Sequence, residues 1–353
     1  MPSEDELMRF DVDEDSRGTT GAHEAARRFR PEELVACEDC LRANAPTRMN
    51  CLYCGAPLPM TERSAALRRP ALRKLEEWEN GFNVVLHPPC SKAVPETIEE
   101  IATMLRLDAA RLSEIAESGT PLPVARAASS EEAELIVGRL KARGLDAEVL
   151  ADEALARTPV RVRALAFDTD SLVLLPTAEA EPARVAWSEI VLLVEGRIVT
   201  RRVEFEEQPS KLLGRGRLVE AREVASDESV LDIYTSHEGD AAREGFRVLA
   251  NGFDYSCLDE NKGLLAIDNF KRLVAELRER SKQAAFDGEY ARLRGTLTCV
   301  WPPSERTESG GLKRDRPGRL NTESVTVVSN EGQFTRYARL RRQLALRARA
   351  KSL

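Results

Sequence analysis

The sequence CEDCLRANAPTRMNCLYCGAPL spans residues 37–58 and contains four of the seven cysteines of the chain. They form two Cys-x-x-Cys pairs, Cys37 with Cys40 and Cys51 with Cys54. A two-residue spacer lets both thiolates of a pair point at one ion, and Zn²⁺ prefers four such ligands in a tetrahedron. The pattern therefore predicts a structural zinc site that folds residues 31–60 as a short zinc ribbon. An iron centre and redox-active thiols are the alternatives.

The predicted site is closed, because four cysteines leave no coordination position for water or substrate. Its expected role is to fold a segment that is too small for a core of its own, and to serve recognition rather than catalysis. The motif HPPC at 87–90 offers His87 and Cys90 as further ligands. Since the four-cysteine shell is already full, we interpret them as a loop histidine and a buried thiol.

Length and charge indicate a modular protein. At 353 residues the chain has room for two or three domains. Residues 1–20 carry seven acidic and two basic side chains, whereas residues 305–353 carry twelve basic and five acidic ones. We expect residues 1–30 to be a disordered acidic segment.

No segment of the sequence resembles a membrane anchor or an export signal. The longest apolar runs, such as IVLLV at 190–194, are far shorter than the roughly 20 residues that span a bilayer. The acidic beginning of the chain lacks the basic and apolar regions of a signal peptide. We therefore predict a cytoplasmic protein in which the cysteines bind metal or remain free thiols.

The region after the ribbon changes from a broken helix to regular α/β alternation. Residues 61–79 have helical character interrupted by Pro70, which predicts a helical connector with a solvated basic face. Residues 80–153 then alternate strand and helix patterns in the order β-α-α-β-α-β. Asp108 is placed to cap the second helix, and Ser129 with Glu132 forms a capping box for the third. The basic residues of the connector are Arg68, Arg69, Arg73 and Lys74.

Three segments of residues 80–153, FNVVL, LSEIAESGTP and EEAELIVGRLKARGLDAEV, resemble a known family. They are similar to the C-terminal domain of the bacterial ribosomal stalk protein, whose fold is shared with the Clp protease adaptor. The resemblance implies a small α/β platform that docks partners. In the stalk family a glycine turn and basic helices hold translation factors, but the helices here carry Glu96, Glu99 and Glu100 without that turn. We therefore expect no binding of translation factors.

Residues 158–295 show the two-residue period of β-strands. PVRVRALAFDTDSLVLLP (159–176) predicts a hairpin, and RVAWSEIVLLVEGRIVTRRVEFEE (184–207) predicts two strands with a turn at Glu195-Gly196-Arg197. Trp187 is interpreted as a core or rim anchor. Residues 208–229 are predicted to be a loop, and further strands precede a helix that starts near Asp268. This arrangement resembles a bacterial pleckstrin-homology-like barrel, a fold that binds peptides, protein domains or lipid headgroups.

The carboxyl-terminal region predicts a linker and a helix. Residues 296–332 are rich in Gly, Pro, Ser and charge, and we expect a flexible linker there. Residues 333–353 place Tyr337, Leu340 and Leu344 on one side and arginines on the others, which predicts a basic amphipathic helix. This helix would pack on the β-rich domain, hold an acidic partner or the acidic amino terminus, or lie on nucleic acid or membrane.

The sequence predicts an α+β multidomain protein with a zinc ribbon, a small β-α-α-β-α-β domain, and an antiparallel β barrel or sandwich closed by a C-terminal helix. His23, His87 and His237 lie outside any recognisable catalytic pattern. We expect a non-enzymatic adaptor or regulatory protein that docks protein partners and has no small-molecule substrate. One alternative is an enzyme or enzyme subunit with a site between the α/β and β-rich domains. The other is a nucleic-acid-binding protein that uses the ribbon and the basic tail.

Overall fold

The chain divides into two units, Met1–Arg69 and Pro70–Leu353. The computed structural model describes residues 29–76, 79–88, 95–176, 181–208, 217–237, 239, 241–316 and 319–352. The predicted disordered segment 1–30 therefore lies almost entirely outside the described residues, and so does Cys90. The structure is a mixture of helices and β-sheets, as the sequence predicted.

The helices within the described residues are α1 Glu62–Leu67, α2 Pro95–Leu105, α3 Ala109–Glu117, α4 Ser130–Lys141, α5 Asp152–Leu155, α6 Ala241–Glu244, α7 Ala266–Arg280, α8 Tyr290–Leu297 and α9 Glu331–Ser352. The strands are β1 Val35–Ala36, β2 Ala43–Asn44, β3 Phe82–Leu86, β4 Leu122–Ala127, β5 Ala147–Ala151, β6 Val160–Val162, β7 Ala164–Phe167, β8 Ser171–Leu175, β9 Ala183–Ala186, β10 Ile190–Gln208, β11 Arg217–Thr235, β12 Gly245–Leu249, β13 Ala285–Asp287, β14 Ser304–Arg316 and β15 Arg319–Ser329. None of these helices combines the length and the apolar character needed to cross a bilayer.

The β3-α2-α3-β4-α4-β5 segment has the element order that the sequence predicts. Its three strands form an antiparallel sheet in the order β4-β3-β5. The Asp108 side chain accepts a hydrogen bond from the Ala110 amide at 3.0 Å, and Ser129 Oγ accepts one from the Glu132 amide at 3.3 Å. These caps satisfy amide groups that a helix leaves without partners, which is why both helices begin where the sequence indicates.

The large sheet has the strand order β14-β15-β10-β11-β12-β6, with β13 also paired to β10, and it curls into a half-barrel. The turn predicted at Glu195-Gly196-Arg197 is absent, because β10 continues through it from Ile190 to Gln208. A Cβ atom at Gly196 would lie 2.5 Å from Phe334 Cε2 of α9. The glycine therefore makes room for a ring rather than for a turn.

Two further segments form strands where the sequence predicted irregular chain. The loop predicted at 208–229 contains most of β11, which pairs with β10, and the linker predicted at 296–332 contains β14 and β15. β15 also pairs with β10 from Thr200 to Glu207. These strands are rich in polar residues, and many of their described side chains are exposed or half-buried. The sequence therefore lacks the apolar alternation by which a half-buried strand is recognised.

The α9 helix belongs to the core of the second unit. Phe334, Tyr337, Ala338 and Leu340 have 0% exposure and join a cluster that includes residues of β3, β4, α4, β10 and α8. Of the three placements predicted for the basic helix, packing on the β-rich part is the one the structure has. The arginines predicted to surround the apolar stripe at the surface include Arg339 and Arg342, which are buried instead.

Polar contacts also join the α/β segment to the later part of the chain. Trp301 is fully buried, and its Nε1 donates to Asn83 Oδ1 on β3 at 2.8 Å. Asn83 Nδ2 in turn donates to Asp152 Oδ1 at 2.9 Å, and Arg126 Nε donates to Asp152 Oδ2 at 2.8 Å. A buried polar group needs such partners, so residues 80–153 depend on Trp301 to satisfy Asn83.

Candidate metal centre

The two Cys-x-x-Cys pairs form two turns with the same hydrogen bonds. In the first, the Cys37 amide donates to the Arg42 carbonyl at 3.0 Å and the Leu41 amide donates to the Cys37 carbonyl at 2.9 Å. In the second, Cys51 donates to Ala56 at 2.7 Å and Gly55 donates to Cys51 at 3.1 Å. The repeated Cys-x-x-Cys spacing therefore gives the same local backbone twice.

The residue after the second cysteine of each turn has a left-handed conformation. Gly55 has φ 77° and Leu41 has φ 59°. Glycine adopts this region freely, whereas a leucine there costs on the order of 1–2 kcal/mol. The turn geometry is imposed on Leu41 because its pair of cysteines must face the other pair.

The four sulfur atoms lie close enough to share one ion. Cys37 Sγ and Cys54 Sγ are 3.5 Å apart, as are Cys40 Sγ and Cys51 Sγ, and all four lie within 4.8 Å of one another. A tetrahedral ion with bonds of about 2.3 Å to sulfur sets its ligands about 3.8 Å apart. A disulfide would need about 2.05 Å. The sulfur separations are therefore compatible with a metal site, and the four thiols are free.

Hydrogen bonds to sulfur support the cluster from one side. Asn44 Nδ2 and the Tyr53 amide each donate to Cys51 Sγ at 3.4 Å, while Asn44 Oδ1 accepts from the Leu52 amide at 2.8 Å. Such contacts orient a metal ligand and stabilise its charge. Sequence reasoning missed Asn44, whose only signal is its position as a polar residue between the two pairs.

The same contacts give the thiols different pKa values. Burial raises the pKa of Cys51, but donors from Cys54, Tyr53 and Asn44 outweigh it and lower that pKa to about 6. The Ala56 amide lowers the pKa of Cys54, but desolvation and the neighbouring sulfurs outweigh it and raise that pKa to about 12. Four adjacent thiolates repel one another, so a bound cation would be needed to hold all of them ionised.

Arg68 braces the ribbon from within. It was predicted to belong to a solvated basic face, but it is fully buried. Its guanidinium group donates to the carbonyl oxygens of Pro46, Leu58 and Pro59 at 3.4, 3.3 and 3.0 Å. Burial lowers the pKa of Arg68. The side chain thus links three loop carbonyl groups through hydrogen bonds, in a ribbon that has few apolar residues.

His87, His237 and Cys257 belong to the second unit, and each of these two histidines lies beside a glutamate. His87 Nε2 is 3.1 Å from Glu148 Oε1, and His237 Nε2 is 3.3 Å from Glu189 Oε1. His23 lies outside the described residues. Burial raises the pKa of Cys257 to about 11, which disfavours a nucleophilic thiolate at neutral pH.

Comparison with known proteins finds no family model, no curated protein and no solved structure that matches this chain. A functional interpretation therefore has to rest on the chemistry of the chain's own residues.

Proposed function

We propose that this protein is a non-enzymatic adaptor whose amino-terminal unit is a zinc ribbon that docks a partner protein. The observation that carries the proposal is the pair of apolar side chains between Cys51 and Cys54. Leu52 is 63% exposed and Tyr53 is 54% exposed, and Leu41 at the end of the other turn is 80% exposed. Large apolar side chains placed at the tip of a rigid turn are typical of contact residues at protein interfaces.

The identity of the metal is part of the proposal. Four thiolates at these separations suit Zn²⁺, whose tetrahedral shell they fill. A filled shell assigns the ion a structural role, in which it stabilises a segment whose described buried cluster consists of Cys37, Cys51 and Leu58. Iron would accept the same ligands, so the metal must be measured.

Charge at the turns favours a protein partner over nucleic acid. The residues between Cys37 and Cys40 are Glu38 and Asp39, and both are exposed. Carboxylates at this position repel a phosphate backbone. Tyr53 has its face covered by Arg42, whose guanidinium carbon lies 4.7 Å from the ring centroid, and a base could not stack on that face.

The two resemblances extend the same proposal to the second unit. The β3-α2-α3-β4-α4-β5 segment is proposed to be a docking platform of the ribosomal-stalk type, and the β-rich part a pleckstrin-homology-like domain. The stalk family's glycine turn has no glycine counterpart here, since Arg106, with φ 56°, occupies the turn between α2 and α3. We therefore propose a partner other than a translation factor.

The metal is tested by elemental analysis of the purified protein. We expect about one zinc per chain, lost in Cys40→Ser and retained in Cys299→Ser, which removes a thiol outside the cluster. The Cys40→Ser variant should also expose residues 31–60 to protease. Stoichiometric iron, or a protein that folds its ribbon without metal, would contradict the proposal.

Docking is tested by comparing variants with intact metal content. Proteins that co-purify with the wild type should be lost with Leu52→Asp and Tyr53→Ala. They should remain with Leu264→Asp, which changes an exposed leucine in the second unit. Identical recovery with all three variants would show that the ribbon tip is not the docking surface.

A further inference from the structure

A cavity of about 360 Å³ in the second unit is lined by residues of α5, the segment that follows α5, α6 and α9. Its charged lining consists of four arginines and two glutamates, namely Arg157, Arg339, Arg342, Arg347, Glu153 and Glu244. The lining thus has four positive charges against two negative ones. Cavities of this volume fall in the range of small-molecule sites.

One helix supplies three of the four arginines. Arg339 and Arg342 are three residues apart on α9 and share a face of the helix, and Arg347 also lines the cavity. Arg339 and Arg342 are only 3% and 7% exposed. Burying a guanidinium group is costly unless anions or hydrogen-bond acceptors surround it, so each donor must be accounted for.

The carboxylate of Glu244, in the lining, accepts hydrogen bonds from two arginines. Its Oε2 accepts from Arg339 Nη1 at 2.8 Å and from Arg157 Nη1 at 3.1 Å, while its Oε1 accepts from the Gly239 amide at 3.1 Å. Burial raises the pKa of Glu244, but the contact with Arg339 outweighs it and lowers that pKa below its usual value. One carboxylate therefore serves two guanidinium groups.

The remaining donors of the lining reach mainly carbonyl groups. Arg342 donates to the carbonyl oxygens of Thr235 and His237, and Arg339 Nε donates to the Arg157 carbonyl at 2.7 Å. Arg347, at the exposed end, pairs with Glu148. Carbonyl oxygens satisfy donors without balancing their formal charge, so an excess of one positive charge remains when Glu148 is counted with Glu153 and Glu244.

A buried donor of the lining, Arg339 Nη2, has no acceptor among the described residues. This atom is shielded from solvent. The guanidinium carbon of Arg339 lies 5.3 Å from the centroid of the Tyr234 ring. This cation–π contact does not supply a hydrogen-bond acceptor for Nη2. An unsatisfied donor on a buried charged group costs on the order of 1–3 kcal/mol or more. A ligand oxygen would remove that cost once the guanidinium group turns toward the cavity, because Nη2 has almost no accessible surface in its present position.

We propose that this cavity binds a small phosphorylated molecule, with its phosphate group held by Arg157 and by Arg339 Nη2 after the Arg339 side chain turns toward the cavity. Arginine presents two parallel N–H groups to the oxygens of a phosphate, and the negative charge of a phosphate would offset the excess positive charge. This site is independent of the ribbon and of its partner. It adds a ligand to a chain whose sequence predicted no small-molecule substrate.

The test is titration calorimetry of the full-length protein with inorganic phosphate, pyrophosphate and a simple alkyl phosphate, each against sodium chloride at equal ionic strength. Arg157→Gln removes one proposed ligand, and we expect affinity to fall about tenfold, as for a lost charge-assisted hydrogen bond. Glu153→Gln removes a negative charge from the lining and should raise affinity several-fold. Arg157 and Glu153 are both exposed, so the fold should survive each change.

Arg349→Gln is the matched control, because Arg349 lies on the same helix but outside the lining and donates to the Ser188 carbonyl. Its affinity should equal that of the wild type. The proposal is overturned if no phosphate compound gives saturable binding. It is also overturned if the Arg157 and Arg349 variants bind equally, or if Glu153→Gln leaves affinity unchanged.

Discussion

Gly196 leaves no room for a side chain, and Gly196→Ala tests how α9 packs on β10. The new Cβ would lie 2.5 and 2.8 Å from two ring carbons of Phe334 and 3.0 Å from Tyr290 Cδ1. Ordinary carbon contacts are about 3.5–4.0 Å, so the rings must move by roughly 1 Å. Phe334 is fully buried and packs edge-on against Tyr290 with centroids 5.0 Å apart, which leaves no free space for that shift.

We expect Gly196→Ala to lower the free energy of unfolding by about 1–3 kcal/mol, as overpacking does in other cores. The measurement is equilibrium unfolding in guanidinium chloride, read as a shift of the midpoint at constant slope. Gly138→Ala is the control, since a Cβ there meets nothing within 4 Å in α4 and should stabilise by about 0.5–1 kcal/mol.

A double variant separates packing from backbone strain. If the ring contact is the cause, Phe334→Leu should reduce the cost of Gly196→Ala and give a coupling energy of about 0.5–3 kcal/mol. If Gly196 instead lay in a turn that only glycine tolerates, the second substitution would give no rescue. A Gly196→Ala protein as stable as the wild type would refute the packing argument outright.

Three further outcomes are expected from the structure. Trp301→Ala should cost about 3–5 kcal/mol in unfolding free energy, whereas Trp187→Ala should cost less because Trp187 is only half-buried; equal losses would show that Trp301 is not the anchor. Burial raises the pKa of Asp152, but hydrogen bonds from Arg126 outweigh it and hold that pKa below its usual value. The stability from Asp152 is therefore fully present above its unfolded pKa of about 3.9 and is lost as pH falls through the folded value, so urea midpoints of Asp152→Asn should depend less on pH below about 4. Deleting residues 331–353 should make the second unit insoluble or unfolded by circular dichroism, and a soluble, cooperatively unfolding product would contradict the burial of α9.

Local chemistry determined several features of this protein from the sequence alone. The Cys-x-x-Cys spacing sets two turns, and each turn brings its own pair of cysteines together because it closes within six residues. The caps at Asp108 and Ser129 act within three residues of the helix they start. Periodicity and capping report the immediate surroundings of a residue, so the β-α-α-β-α-β order could be predicted from them.

Only the tertiary structure decided the features that depend on residues far apart in the chain. From the sequence, Gly196 is interpreted as a turn residue, whereas in the structure it makes room for Phe334 of the distant helix α9. The polar strands β14 and β15 pair with each other, and β15 also pairs with β10. Arg68, Arg339 and Arg342 are buried where distant carbonyl or carboxylate groups accept their hydrogen bonds. A single sequence gives the propensity of each segment but not the partner that satisfies its hydrogen bonds and charges. Long-range pairing therefore overrides local pattern at these positions.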